Sequence, residues 1–122
     1  MGTIPAVIVH TNGLTQVVNL GSGYKAIQAV VGGTFDAITS DSGNTTFWIH
    51  DEGKLIGLEP NVIATKILWE LNPAFDGRDY LAGTVLITGG ADDEGETLGV
   101  SVEGLTAVER AKTPAPWEVT GV

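Results

Sequence analysis

The stretch VGGTFDAITSDSGNTTFWIHDEGK, Val31 to Lys54, decides how the rest of the chain must fold. Residues 33–40 and 45–51 are rich in β-branched and aromatic side chains, and between them sit Asp41-Ser42-Gly43-Asn44, four turn formers in a row. The pattern predicts an antiparallel hairpin. Two strands alone are at best marginally stable in water. Alternation along the second strand sends Phe47 and Ile49 to one face and Trp48 to the other, so at least one face of the sheet needs cover from another layer.

The flanking sequence supplies it. Upstream, residues 4–10 and 14–20 are Val/Ile-rich runs separated by Thr11-Asn12-Gly13, and Asn-Gly is a strong short-range hairpin signal. Ser22 stands where an N-cap belongs. Tyr24, Ile27, Val30 and Val31 follow at helical spacing on one expected face, and Gly32-Gly33 end the helix. Downstream, Glu52-Gly53-Lys54 turns the chain. Ile63, Ala64, Ile67, Leu68 and Leu71 then mark a helix over 61–71, bounded by Pro60 and by Asn72-Pro73. After a loop over 73–79, the apolar run LAGTVLIT at 81–88 predicts a strand buried on both faces at the centre of the sheet. Residues 89–96 carry four acids and are expected to be exposed loop. Within 97–112, Val102, Leu105, Ala107, Val108 and Ala111 fit a helix capped by Ser101, with Glu103 in its first turn and Gly104 against its grain. Thr113-Pro114-Ala115-Pro116-Trp117 cannot continue it, so residues 113–122 read as an extended tail beyond a compact unit of residues 1–112. The expected fold is α+β: a mixed, mainly antiparallel sheet of about five strands, two hairpins plus a central strand, packed with two or three helices.

With 122 residues and 43% hydrophobic content the chain holds one core. Fifteen acids against six bases give a net charge of -9, and the bases (Lys25, Lys54, Lys66, Arg78, Arg110, Lys112) are scattered. Direct nucleic-acid binding is therefore not expected, since phosphate affinity needs clustered cations. Cysteine is absent, which removes disulfides, thiolate nucleophiles and zinc–thiolate sites and suits a reducing compartment. The apolar run near the N-terminus, about six residues, is too short for a signal core or a membrane span.

Several of these stretches carry a resemblance. Val31-Gly32-Gly33-Thr34-Phe35-Asp36-Ala37-Ile38, then His50-Asp51-Glu52-Gly53-Lys54-Leu55 with Asn61 downstream, then Ala82-Gly83-Thr84-Val85-Leu86-Ile87 and Asp93-Glu94-Gly95, resemble domain-of-unknown-function family 3846, small proteins of phages and plasmids. The likeness covers roughly residues 4 to 105. Where members tend to carry Asn before the acidic Gly-Lys turn, this chain has His50 and Asp51. The resemblance implies a phage or mobile-element accessory protein, and with the cysteine-free composition and the short N-terminal apolar run the expected location is the host cytoplasm. The resemblance implies no activity.

Four groups of residues invite a chemical reading. Gly21-Ser22-Gly23-Tyr24-Lys25-Ala26 has the GxGxxA spacing of a dinucleotide loop, but it follows a tight hairpin in a chain too short for the doubly wound sheet; an anion site assisted by Lys25 is the milder form of that reading. His50, Asp51 and Glu52, with Asp36 on the neighbouring strand, form either an acid/base or weak metal site or the wet end of a hairpin, and alternation sends His50 and Asp51 to opposite faces. Asp92-Asp93-Glu94-Gly95-Glu96 lacks EF-hand spacing and reads as a solvated loop. No GxSxG elbow occurs. Trp48 and Trp117 are the aromatic candidates for a binding surface.

The reading that follows is a non-enzymatic accessory protein with no cofactor, binding a host protein or a small defence-related ligand through some of Asp36, Trp48, His50, Glu52, Lys25 and Trp117, with a homodimer through an exposed sheet edge as an option. The alternatives are a small metal-assisted enzyme using Asp36, His50 and Glu52, and an acidic DNA mimic.

Overall fold

The computed structural model describes residues 2–113. The expected tail, Trp117 included, lies outside the described residues apart from Thr113, which is extended and ends the last helix. In chain order the elements are β1 (Ile4–Val9), β2 (Thr15–Leu20), α1 (Tyr24–Val31), β3 (Phe35–Thr39), β4 (Thr45–His50), α2 (Val62–Leu71), a single 3₁₀ turn (Pro73–Phe75), β5 (Val85–Gly89) and α3 (Val102–Lys112). One sheet holds all five strands in the order β2-β1-β5-β4-β3, and each adjacent pair is antiparallel. The two hairpins and the central strand stand as the sequence implies, without the parallel pairing that a mixed sheet would include.

β5 is buried at every position and divides the core. Val85 and Ile87 point with Val7, Val9 and Phe47 toward α2 and α3, whose Ala64, Ile67, Leu68, Ala107 and Val108 close that side. Leu86 points the other way, with Ala6 and Leu20, toward Ile27 and Val31 of α1. Each fully buried Leu, Ile or Phe contributes about 1.5–3 kcal/mol. The alternation expected of β4 holds: Phe47 and Ile49 join the first cluster and Trp48 the second.

β5 starts at Val85 rather than near Leu81 because the preceding backbone is committed elsewhere. Gly83 takes a positive φ of 82° and donates its N–H to the Glu59 carbonyl. Leu81 N–H bonds to Thr65 Oγ1 at 3.0 Å, and its carbonyl accepts from Asn61 N–H at 2.7 Å. Asn61 joins the pieces. Its side chain is fully buried; Oδ1 caps α2 by accepting the Ala64 N–H at 3.0 Å, and Nδ2 donates to the carbonyls of Val9 and Gly83, each at 2.9 Å.

Three other details depart from the sequence reading. α1 is capped by Gly23, at φ 92°, with no side-chain bond from Ser22, and Tyr24 is 60% exposed instead of facing the core. The left-handed glycine redirects the chain one residue later than a serine cap would. In α3, Val102 is 80% exposed and Leu105 is also exposed, while Gly104, Ala107, Val108 and Ala111 are buried. Gly104 packs closely there: a Cβ would lie 3.1 Å from Val100 Cγ2, tighter than most such contacts, and 3.4 Å from Thr45 Oγ1. Finally, Gly89 and Gly90 are buried, not loop: Gly89 ends β5 and donates its N–H to the Leu98 carbonyl, while the Gly90 carbonyl accepts the Leu98 N–H, so exposure begins at Ala91.

α3 is anchored to the β3–β4 turn through a carboxylate. Glu103 accepts hydrogen bonds from the hydroxyls of Ser42 (2.6 Å), Thr45 (2.7 Å) and Ser40 (3.3 Å). The Ser42 and Thr45 hydroxyls, helped by Ser40 and opposed by partial burial, hold its pKa below the ordinary 4.5.

Two measurements check these ties. Asn61→Ala strands two carbonyls and one N–H and costs roughly 3 kcal/mol in urea unfolding. Asn61→Asp also destabilises, because a carboxylate cannot donate to Val9 and Gly83. For Glu103 the folded pKa is depressed, so its stabilisation is present above the ordinary value of 4.5 and is lost as pH falls through the depressed value. Stability measured from pH 5 downward, at about half-unit steps, falls more steeply in the native chain than in Glu103→Gln.

Candidate functional site

The polar group at the end of β4 does not assemble as a catalytic constellation. In the β3–β4 register Phe35 pairs with His50 and Asp36 with Ile49, so Asp36 and His50 project from opposite faces of the sheet. His50 and Asp51 do approach, with Nδ1 and Oδ1 3.7 Å apart, because the strand ends at His50 and Asp51 begins a turn. That corrects the strict alternation expected of them. His50 Nδ1 accepts the Glu52 backbone N–H at 3.0 Å, which leaves the ring proton on Nε2. Gly33 makes room for the ring, since a Cβ there would sit 2.7 Å from Nε2. Asp51 accepts from Thr34 Oγ1 at 2.7 Å, and Asp36 and Glu52 are exposed. Among the described residues no three His, Asp or Glu side chains converge as metal ligands.

A cavity of about 330 Å³ lies nearby, lined by Ile38, Ile49, His50, Lys54, Asp79 and Tyr80 among others. Asp36 and Glu52 do not line it. Of its charged lining residues, Lys54 forms an ion pair with Asp79 and lies 4.4 Å from the centre of the Tyr80 ring, and Asp51 accepts the Thr34 hydroxyl. The Lys54 ammonium keeps Asp79 below the usual carboxylate range, opposed by burial and helped by the Tyr80 N–H.

The larger concavity, about 520 Å³, opens on the α1 side of the sheet. Its origin is a mismatch of dimensions. The eight residues of α1 make a helix about 12 Å long and about 10–12 Å across, smaller in either direction than the roughly 19 Å over which five strands spread. Part of this face therefore stays uncovered. Leu20, Gly21, Ser22 and Gly23 line the groove with Tyr24, and so do Ile4 of β1, Phe35 of β3 and Trp48 of β4. Glu96 and Thr97 come from the acidic loop. Phe35 and Trp48 meet edge to face, centroids 5.5 Å apart at 80°, and Trp48 Nε1 donates to the buried Thr88 Oγ1 at 2.9 Å.

Of the residues chosen from sequence, the groove takes Trp48 and the glycine loop and leaves out Asp36, His50, Glu52 and Lys25. The dinucleotide reading of that loop fails on topology. β2, which precedes it, is an edge strand in an antiparallel hairpin, and the dinucleotide loop follows a strand inside a parallel sheet. Tyr24 and Glu96 were not legible as site residues: Tyr24 shares the helical spacing of a core face, and nothing in the acidic run singles out one member.

The family model described as "Domain of unknown function (DUF3846)" matches residues 4–111. No curated protein and no solved structure matches the chain.

The separation of Asp36 from His50 gives a direct check. In a double-mutant cycle of Asp36→Asn and His50→Ala, the coupling in unfolding free energy stays below about 0.5 kcal/mol. Mg²⁺, Mn²⁺ and Zn²⁺ each leave the melting temperature of the native chain unchanged.

Proposed function

The chain belongs to the DUF3846 family, and we propose that it is a non-enzymatic accessory protein of a phage or related mobile element, binding a host protein or a small defence-related ligand. The observation that carries this reading is the groove on the α1 side, open, partly apolar and lined by Tyr24, Phe35 and Trp48. A pocket of that size bounded by aromatic faces is suited to recognition. Asp36 and His50, the polar pair on neighbouring strands, point to opposite faces of the sheet. Among the described residues no helix is long and apolar enough to cross a membrane, and in this reading the protein acts in the host cytoplasm.

DNA mimicry has less support, because four of the fifteen acids already serve the fold. Glu103 holds the β3–β4 turn, Asp79 pairs with Lys54, Glu70 with Arg110, and Asp92 accepts N–H groups of its own loop. A homodimer through a sheet edge remains part of the reading, since β2 and β3 each have one unpaired side and Val17 on β2 is 69% exposed.

The groove is testable by filling it. A Cβ on Gly21 meets nothing within 4 Å, and its backbone is not left-handed, so Gly21→Leu fits the fold while occupying the groove. After incubation in host lysate and repurification, native mass spectrometry finds a ligand or partner on the native chain. Gly21→Leu loses it at an unchanged melting temperature. Equal retention by both chains overturns the reading.

A further inference from the structure

The groove's composition narrows its ligand, an inference that rests on the groove being the binding surface. Three of its lining residues are aromatic (Tyr24, Phe35, Trp48), its one charged lining residue is Glu96, and it has no Lys or Arg. The Trp48 indole N–H is committed to Thr88, so the residue offers the groove a ring rather than a donor. Tyr24 is 60% exposed with its ring available to an occupant. Among the described residues the Glu96 carboxylate has neither hydrogen-bond nor ion-pair partner, although its backbone is fixed by Asp92. Aromatic rings and an unmatched carboxylate lining one groove are the chemistry that recognises an organic ammonium group, through the negative ring faces and the full charge.

The geometry points to the groove as a site for a small organic cation bearing an alkylated or quaternary ammonium. Hard metal ions are poorly served, because they require six or more oxygens and this lining offers a single carboxylate. Free anions are opposed by Glu96 and by the overall charge of -9. The α1 N-terminus works in the other direction, adding about half a positive charge near Gly23. Against it stand a whole negative charge and three rings, and Lys25, the nearest cationic side chain in sequence, does not line the groove.

Isothermal titration with tetramethylammonium and with choline tests this, with inorganic phosphate as the anionic control. Both cations bind saturably and phosphate does not. Glu96→Gln and Tyr24→Ala, both at exposed positions, each weaken cation binding by about tenfold, with circular dichroism and melting temperature unchanged. Failure of both cations to bind, binding that neither variant weakens, or preferential binding of phosphate each overturns the assignment. If the cations fail while Gly21→Leu still strips a retained ligand, the ammonium assignment falls and the groove stands. If Gly21→Leu strips nothing, the groove falls as well.

Discussion

Burial of β5 on both of its faces is the constraint from which the architecture follows. Five consecutive residues from Val85 to Gly89 have no contact with solvent to speak of, so apolar layers must lie above and below the strand and a paired neighbour on each side. The two layers are unequal. α2 and α3 together cover one face, while α1 alone serves the other. The concavity on the α1 side is thus a by-product of how the core is shared out, and its aromatic lining consists of side chains that a second helix would otherwise have buried.

Where the small core leaves off, polar side chains join the elements. Asn61 ties the end of β1, the approach to β5 and the start of α2 into one hydrogen-bonded junction. Glu103 does the same for α3 and the β3–β4 turn with three hydroxyls. Glycines permit what side chains would prevent: a Cβ on Gly89 would fall 2.2 Å from the Gly99 carbonyl oxygen, and one on Gly90 would fall 2.1 Å from that of Gly43. The backbone is packed this tightly only where those residues lack side chains.

Much of this was legible in the chain because local signals and tertiary demands agree. Asp41-Ser42-Gly43-Asn44 made its hairpin, the spacing of Ala64, Ile67 and Leu68 made α2, and LAGTVLIT could only be central. The misreadings share one cause, a partner that no local pattern names. Leu81 and Gly83 look like strand until their backbone groups are found bonded to Asn61, Thr65 and Glu59. Val102 and Leu105 look like core until Gly104 proves to be the side that approaches Thr45. Asp36 and His50 lie on neighbouring strands, and only the exact register, which slips a whole face with one residue, decides that they do not meet. Tyr24 and Glu96 belong to segments far apart in sequence, so the groove they share exists only after folding.

The strand order also dictates how the chain must assemble in time. β1–β2 and β3–β4 are local hairpins whose closure is entropically cheap, but β5 is made last and has to slot between them. Until it arrives, the inner margins of β1 and β4 present bare amide and carbonyl rows next to Phe47 and Val7. Cooperative stability therefore comes late, in a step dominated by long-range pairing, which slows folding. The nascent protein is at greatest risk of sticking to its own copies in the interval between completing the second hairpin and threading the fifth strand.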